Sequence, residues 1–388
     1  MPSKNILIAS VLKPADDIRS YHKIGRSLQK LFPESHFYYI GQGHQKGLRS
    51  EGNIHFWEHR FARLSFRRLL FQWQFLKFLF QKRPRLLLIS THELLPAAVL
   101  AKVFLKIPFI YDLQENYYAN IRYLPTFPKL LRRPLAVMVR AMERFCTHFS
   151  AAVFLAEACY EEELASLLKN KHFALLENKA LPLMPPQATL PTQSPALRLL
   201  LAGTLSEAYG LFRALDFVEK LRQSCEAELL ICGFCSQEAE YVSLLEKIKE
   251  KNHIRIIGGR HLVAPAQIQA AMQKSDFLLL PYNINPVFAR RIPSKLFEAL
   301  ALDCKVLIQN NPFWEAQVAV WQVQEQVFFV DFETFDTAQA AFSEKYWRKT
   351  LQENSSQTSD FVADRRFCWG EAEEAKISLI LSKTDIIF

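Results

Sequence analysis

The sequence predicts an α/β protein: two Rossmann-like, doubly wound parallel-sheet domains facing a central cleft. Three observations carry that expectation. Apolar runs of six to eight residues alternate with amphipathic segments of helical period along most of the chain. Those runs are apolar almost throughout rather than at every second residue, as in strands buried on both faces by helical crossovers. A proline-rich break near the middle splits the 388 residues, which are too many for one core of ordinary size.

In chain order, "NILIASVL", "HFYYIG", "RLLLIS", "PFIYDL" and "AAVFLA" read as strands of the first domain. "LRLLLAG", "AELLICG", "HIRIIGG", "DFLLLPY" and "KVLIQN" read as strands of the second. Between them "LPLMPPQATLPTQSP" (181–195) carries five prolines and no helical period, which marks a linker. After residue 333 the pattern becomes helical. The expected organisation is a first domain over 1–181, a linker over 182–196, a second domain over 197–365 and a C-terminal helix over 366–388. Ligands of such sheets bind outside the carboxyl ends of the strands, so the cleft is the expected place of function.

Composition narrows the class. Half the residues are hydrophobic and 22% charged, with no low-complexity tract, which is a globular composition. The longest apolar stretch, "LLPAAVLAKVFLKIPFIY", contains Lys102, Lys106 and proline, and reads as helix then strand rather than a membrane span. "MPSKNILIASVLKPADD" lacks the apolar length and cleavage site of a signal peptide. Seven scattered cysteines suit a reducing compartment, so a cytoplasmic protein is expected. Cys232 and Cys235 in "CGFC" have redox-motif spacing, but no second pair completes a zinc site. Neither a metal nor another cofactor is expected. No G-x-G-x-x-G follows the first strand, which argues against a nicotinamide-dependent oxidoreductase. Residues 1–190 hold 27 Lys/Arg against 14 Asp/Glu, while residues 191–388 hold 21 against 25. The first half should therefore favour anionic surfaces.

The most pointed cluster of charge lies in "NPVFARRIPSKLFEALALDCKVLI" (285–308). Pro293 fits the first turn of a helix. Leu296, Phe297, Leu300 and Ala301 form an apolar stripe, and Lys295 and Glu298 share another face. The helix N-terminus falls at the carboxyl end of a strand, where free N–H groups and the macrodipole attract an anion. Arg290, Arg291 and Lys295 add positive charge there, in outline a diphosphate site. Glu298 can accept hydrogen bonds from a ribose diol. The competing reading is a solvated Lys295–Glu298 pair beside two surface arginines. Gly203, directly after a strand, and Gly210, at the next helix start, let backbone approach a ligand closely.

These stretches together resemble the GT-B retaining glycosyltransferases, specifically glycosyltransferase family 4. The run from "LRLLLAGTLSEAYGLFRAL" to "ARRIPSKLFEALALDCKVLIQNNPFWEA" is similar to the family's donor domain. "DDIRSYHKIGRSLQKLFPESHFYYIG" looks like its opening, "ISTHELLPAAVLAKVFLKIPFIYDLQENYY" like its "H-[DE]-x-L-P-A…Y-D-x-H-E" stretch, and "FCWGEAEE" like its C-terminal helix. The resemblance covers nearly the whole chain in order.

It implies transfer of a sugar from a nucleotide-diphosphate sugar with retention of configuration. Glu298 matches the ribose-binding glutamate and Lys295 the pyrophosphate-binding lysine. A further family glutamate is replaced by Arg290, as is usual in the subgroup ending in "P-N-K-L-F-E"; Arg290 or Arg291 would then assist the phosphates. Gly203 and Thr204 match the loop that approaches the diphosphate, and Arg260, Tyr282 and Ser294 fall among the donor-binding positions. His92 matches a histidine near the transferred sugar and the acceptor. In "YDLQEN" the family histidine is Gln114, followed by the expected Glu115; glutamine can hydrogen-bond a hydroxyl but cannot exchange a proton. Asp17 and Arg19 would face the same cleft from the acceptor side. The family's acceptor, carried by the first domain, is a glycan or lipid-linked glycan, which implies cell-surface polysaccharide synthesis. The alternative is a catalytically impaired sugar-nucleotide-binding protein or scaffold of the same fold. An epimerase of this fold would need acid–base groups that the chain does not assemble.

Residues 59–85 hold eight Lys/Arg, no acid, six Phe and one Trp, and "KLLRRPLAVMVRAMERF" adds further basic residues. A packed helix with a solvated basic face explains this, and so does peripheral contact with an anionic membrane at its inner face; the second is the expectation. No module for nucleic acid is recognisable, so no nucleic-acid partner is expected.

Overall fold

The structure, a computed structural model, describes residues 4–43, 47–61, 65, 67–181, 196–335, 364–384 and 386. The chain forms two compact units, Met1–Asn178 with Trp369–Phe388, and Lys179–Cys368. The proline-rich stretch over 182–195 and most of the helical pattern after residue 333, at 336–363, lie outside the described residues.

The first unit is built on β1 Asn5–Pro14, β2 His36–Gln42, β3 Gly47–Glu51, β4 Ile54–His59, β5 Leu86–Ile89, β6 Phe109–Leu113, β7 Ala152–Leu155 and β8 His172–Leu175. They form one sheet in the order β3-β4-β2-β1-β5-β6-β7-β8, parallel except for the β3–β4 hairpin. Five of these strands are the expected ones; β3, β4 and β8 are additional. The sequence GLRSE of β3 is exposed along its length, so no apolar pattern marks it. Its helices are α1 Arg26–Leu31, which continues a π-helical turn at Ile18–Gly25, α2 Arg67–Lys82, α3 Leu95–Leu105, α4 Tyr117–Tyr123, α5 Lys129–Thr147, α6 Tyr160–Glu163 and α7 Ala165–Leu168. The basic run 59–85 is therefore not one helix: His59 ends β4, and α2 begins at Arg67.

The second unit holds β9 Leu197–Thr204, β10 Ala227–Phe234, β11 Ile254–Gly259, β12 Phe277–Leu280, β13 Lys305–Gln309 and β14 Val327–Val330, of which β14 was not expected. Helices α8 Leu211–Leu221, α9 Glu238–Ile248, α10 Pro265–Gln273, α11 Ser294–Ala301 and α12 Pro312–Trp321 cover it. Leu199 and Leu201 of β9 pack into one core with Phe217, and Leu200 into the other with Leu296. Burial on both faces is why these strands read as unbroken apolar runs. The sheet is parallel in the order β11-β10-β9-β12-β13-β14, the winding of dinucleotide-binding sheets, reversing between β9 and β12. The parallel part of the first sheet winds the same way and reverses between β1 and β5.

After the second unit the chain enters α13, Glu371–Ser382, which belongs to the first. Trp369 donates its indole N–H to Ser27 Oγ at 3.0 Å, and Ile377, Ile380 and Leu381 complete the core around Ile6 and Ile8.

Candidate functional site

In the second unit β9 and the strands on one side of it, β10 and β11, carry glycine near their carboxyl ends. Gly203 of β9 lies in register with Gly233 of β10, and Gly233 with Gly258 of β11. A Cβ on Gly233 would sit 1.9 Å from the Gly203 carbonyl oxygen, so a side chain there is excluded. Gly203 has φ +107, in the region that favours glycine, and a Cβ at this position would lie 3.2 Å from Lys295 Cε. Lys295 thus lies close over Gly203.

Lys295 comes from α11, whose start differs slightly from expectation. Pro293 is the capping residue, Ser294 is the first helical residue and is exposed, and no side chain caps the helix. The N–H groups of its first turn consequently have no side-chain cap. Lys295 Nζ stands 2.5 and 2.7 Å from the two Glu298 oxygens. The ion pair of the competing reading is present, yet its side chains are only 17% and 20% exposed. The loop before α11 is fixed from α12: Asn311 donates to the Ala289 carbonyl at 2.8 Å and the Trp314 indole to that of Arg291 at 3.0 Å. The Arg290 guanidinium lies 5.5 Å from the Phe313 ring centroid. Arg290 and Arg291 are therefore held in a short braced segment just ahead of Ser294, Lys295 and Glu298.

Thr204 ends β9 and is exposed. Tyr282, just past β12, joins an aromatic group with Tyr209 at 5.4 Å and Trp314 at 5.9 Å between centroids. Arg260 follows β11, two strands from β9, a lateral step of about 10 Å. It donates to the Cys235 carbonyl at 2.7 Å and lies 3.1 Å from Glu238, so it belongs to the sheet edge rather than to the Lys295 group. Cys232 and Cys235 are unbonded thiols whose pKa burial raises, the opposite of a reactive pair.

At the reversal of the first sheet the expected residues are largely committed to the fold. Asp17 Oδ2 accepts from the N–H groups of Arg19 and Ser20, both at 3.0 Å, and so caps the turn after β1. Arg19 corrects the expectation of an acceptor-facing guanidinium. It is 4% exposed and forks onto fully buried Asp112, with Nη2–Oδ1 at 2.7 Å, while Nη1 donates to the Leu176 carbonyl at 2.6 Å and Asn178 Oδ1 at 3.1 Å. Gln114 donates to the other Asp112 oxygen at 2.7 Å. Both matched positions belong to a buried network whose centre, Asp112, sequence reasoning passed over.

His92 follows β5, the fifth strand in chain order, with its ring 4.1 Å from that of Tyr117. Burial, helped by the nearby Arg68 charge, pulls its pKa down to about 4, so the imidazole is neutral at physiological pH. Arg68 is ion-paired with Glu93, and Glu93 Oε2 lies 3.5 Å from His92 Nδ1. These three side chains line a cavity of about 380 Å³ with Glu115, Tyr117 and Asn120, over an apolar floor that includes Phe127, Leu135 and Val139. Glu115 accepts from Asn120 at 2.6 Å. Arg68 and Glu93 were not singled out from the sequence. Glu93 adjoins His92, but Arg68 reads as one more charge of the basic run. A neutral imidazole over such a cavity can donate or accept a hydrogen bond but supplies no charge.

No protein-family model matches the chain, and no curated protein is similar to it in sequence. Solved structures are similar in fold. Sucrose-phosphate synthase from Thermosynechococcus elongatus superposes with a TM-score of 0.62 at 12% identity, over 97% of this chain and 94% of that one. The α,α-trehalose 6-phosphate synthase of Burkholderia multivorans gives 0.57 at 11% identity, over 99% and 96%. The catalytic domain of starch synthase IV from Arabidopsis thaliana, bound to ADP and acarbose, gives 0.56 at 11%, over 98% and 99%. Such identities establish the fold and not the activity. This chain has the two-unit, parallel-sheet GT-B fold of these glycosyltransferases.

Proposed function

We propose that the protein is a retaining glycosyltransferase of family 4, moving a sugar from a nucleotide-diphosphate sugar to a glycan or lipid-linked acceptor in cell-surface polysaccharide synthesis. The observation that carries this reading is Lys295, held over Gly203 at the uncapped start of α11 beside the reversal of a dinucleotide-type sheet. As the anomeric bond breaks, negative charge grows on the leaving diphosphate. The Lys295 ammonium, Arg290 or Arg291, and the first N–H groups of α11 meet that charge, with no metal or other cofactor assigned a part. Glu298 accepts from the ribose hydroxyls. Its contact with Lys295 holds the ammonium in position before the donor arrives. In the first unit, neutral His92 and Glu115 offer hydrogen bonds to sugar hydroxyls, and the apolar floor of their cavity suits a non-polar part of the acceptor.

A panel of labelled nucleotide sugars tests this, scored first by thermal shift and then by transfer. Bound nucleotide stabilises by about 2.7 kcal/mol at a hundredfold excess over its dissociation constant. Transfer with retained configuration supports the enzyme. Binding with neither transfer nor hydrolysis supports the second reading, a catalytically impaired binding protein or scaffold, which the engagement of Gln114 with Asp112 favours. Absence of any nucleotide binding sinks both.

The same reading includes peripheral contact with the inner face of a membrane through α2. No helix among the described residues is long and apolar enough to cross a bilayer. Phe71, Phe75 and Leu79 of α2 are buried, whereas Leu70, Trp73 and Phe80 are exposed alongside Arg67 and Lys77. Arg68 is not among the available cations because Glu93 holds it, and Arg63 lies outside the described residues. Replacing Arg60, Arg67, Lys77 and Arg83 with Gln should release the protein from anionic vesicles, at about 1 kcal/mol per charge. Unchanged co-sedimentation would make α2 an ordinary packed helix.

A further inference from the structure

A second concavity on the first unit shares no lining residue with the His92 cavity. It lies between the carboxyl-terminal half of α5 and the turn at 169–171 that leads into β8, and measures about 740 Å³. Arg140, Arg144, His148, Lys169 and Lys171 line it, and among the described residues no carboxylate does. We propose that this cavity binds a phosphate-bearing anion.

The cations have distinct parts. Arg144 and Lys169 are exposed and form no ion pair or side-chain hydrogen bond with any described residue. Lys171 donates to the carbonyls of His148 at 2.5 Å and Ser150 at 2.8 Å. That placement offsets the negative carbonyl end of α5, which would otherwise repel an anion. Arg140 is held over the Tyr118 ring at 5.7 Å and bonded to Asn116 Oδ1, so one wall of the cavity carries a fixed guanidinium. The acid beside it, Glu143, is buried, accepts from the Tyr111 hydroxyl at 2.8 Å, and is not part of the lining.

Like charges gathered in one concavity repel each other and concentrate counter-ions, and a phosphate satisfies several of them at once through charge-assisted hydrogen bonds. The concave shape suits a compact anion better than an extended polymer. Exposed Val137 and Phe145 on the same rim add apolar area, which a lipid carrying the phosphate as its headgroup would cover and a free phosphate would not. The proposal is independent of the glycosyltransferase reading.

The test uses full-length Lys295→Ala protein, so that phosphate binding at α11 does not contribute. It is compared with the same protein carrying Arg144→Gln and Lys169→Gln. The probes are inorganic pyrophosphate, by calorimetry, and vesicles of phosphatidylcholine and phosphatidic acid in equal parts, by co-sedimentation. At least one probe should bind, and the double substitution should weaken it about tenfold or more. Pyrophosphate binding identifies a free phosphate as the source; vesicle binding without it identifies a headgroup. Binding of neither probe overturns the proposal. So does binding that survives the double substitution, which would belong to α2 or to another surface.

Discussion

The two sheets wind alike and reverse alike, yet the residues at their reversals do opposite things. In the first unit Arg19, Asp112 and Gln114 engage one another, Asp17 caps a turn, and Arg68 holds Glu93. In the second unit Gly203, Gly233 and Gly258 lie in register near the ends of β9, β10 and β11, and the Lys295–Glu298 pair stands at an uncapped helix start. The same topology therefore presents a charged network turned inward in one case and bare backbone with a cation in the other. Polar residues at a strand end are not evidence of a ligand until their partners are known.

The sharpest way to break this contrast is to remove Asp112. If the network is structural, Asp112→Ala leaves Arg19 buried without its partner and should lower unfolding stability by about 3–5 kcal/mol in urea titration. A loss under 1 kcal/mol would mean that Arg19 turns outward easily and belongs with a ligand. Lys295→Ala should do the reverse, leaving stability almost unchanged. Turnover should fall about 10²–10³-fold, more than the Michaelis constant rises, because the charge it meets is largest in the transition state. Normal turnover with weaker donor binding would place that charge on Arg290 or Arg291.

His92 sharpens the comparison through pH. Its native pKa of about 4 lies below the usual 6.5, so on acidification the unfolded chain takes up the proton first. The stability linked to this group is full above pH 6.5 and is lost as pH falls from 6.5 to 4, by about 3 kcal/mol in all. His92→Gln should remove that part of the pH dependence; identical profiles for the two proteins would show an accessible imidazole. The smallest effect is expected for Glu298→Gln. It should weaken nucleotide binding by about 1.5–3 kcal/mol in calorimetry while the fold stays intact. Unchanged affinity would leave Glu298 as no more than the partner of Lys295.

What could be read in the sequence follows the same division. Ten strands were legible, most because burial on both faces makes a nearly continuous apolar run; the edge strand β11 is only partly buried. β3 is exposed along its length and so leaves no such mark, whereas β14, the short apolar run VFFV, does leave one and was passed over. Lys295 and Glu298 were legible because their geometry is set within one helix turn. Arg19 and Asp112 lie 93 positions apart, and no local spacing shows that they meet. Arg68 reads as surface charge for the same reason, since its partner follows the next strand.

The position of α13 has a consequence for how the molecule is made. The first unit to emerge during synthesis lacks Trp369, Ile377, Ile380 and Leu381 until translation has passed through the whole second unit. The second unit is continuous from Lys179 to Cys368 and has all the strands of its described residues in hand earlier. Completion therefore runs against the order of translation. The nascent amino-terminal sheet must wait with part of its core open, a period when apolar surface is available to chaperones or to neighbouring chains. A premature stop near residue 368 would leave that surface permanently uncovered, which would show as aggregation rather than as simple loss of a terminal helix.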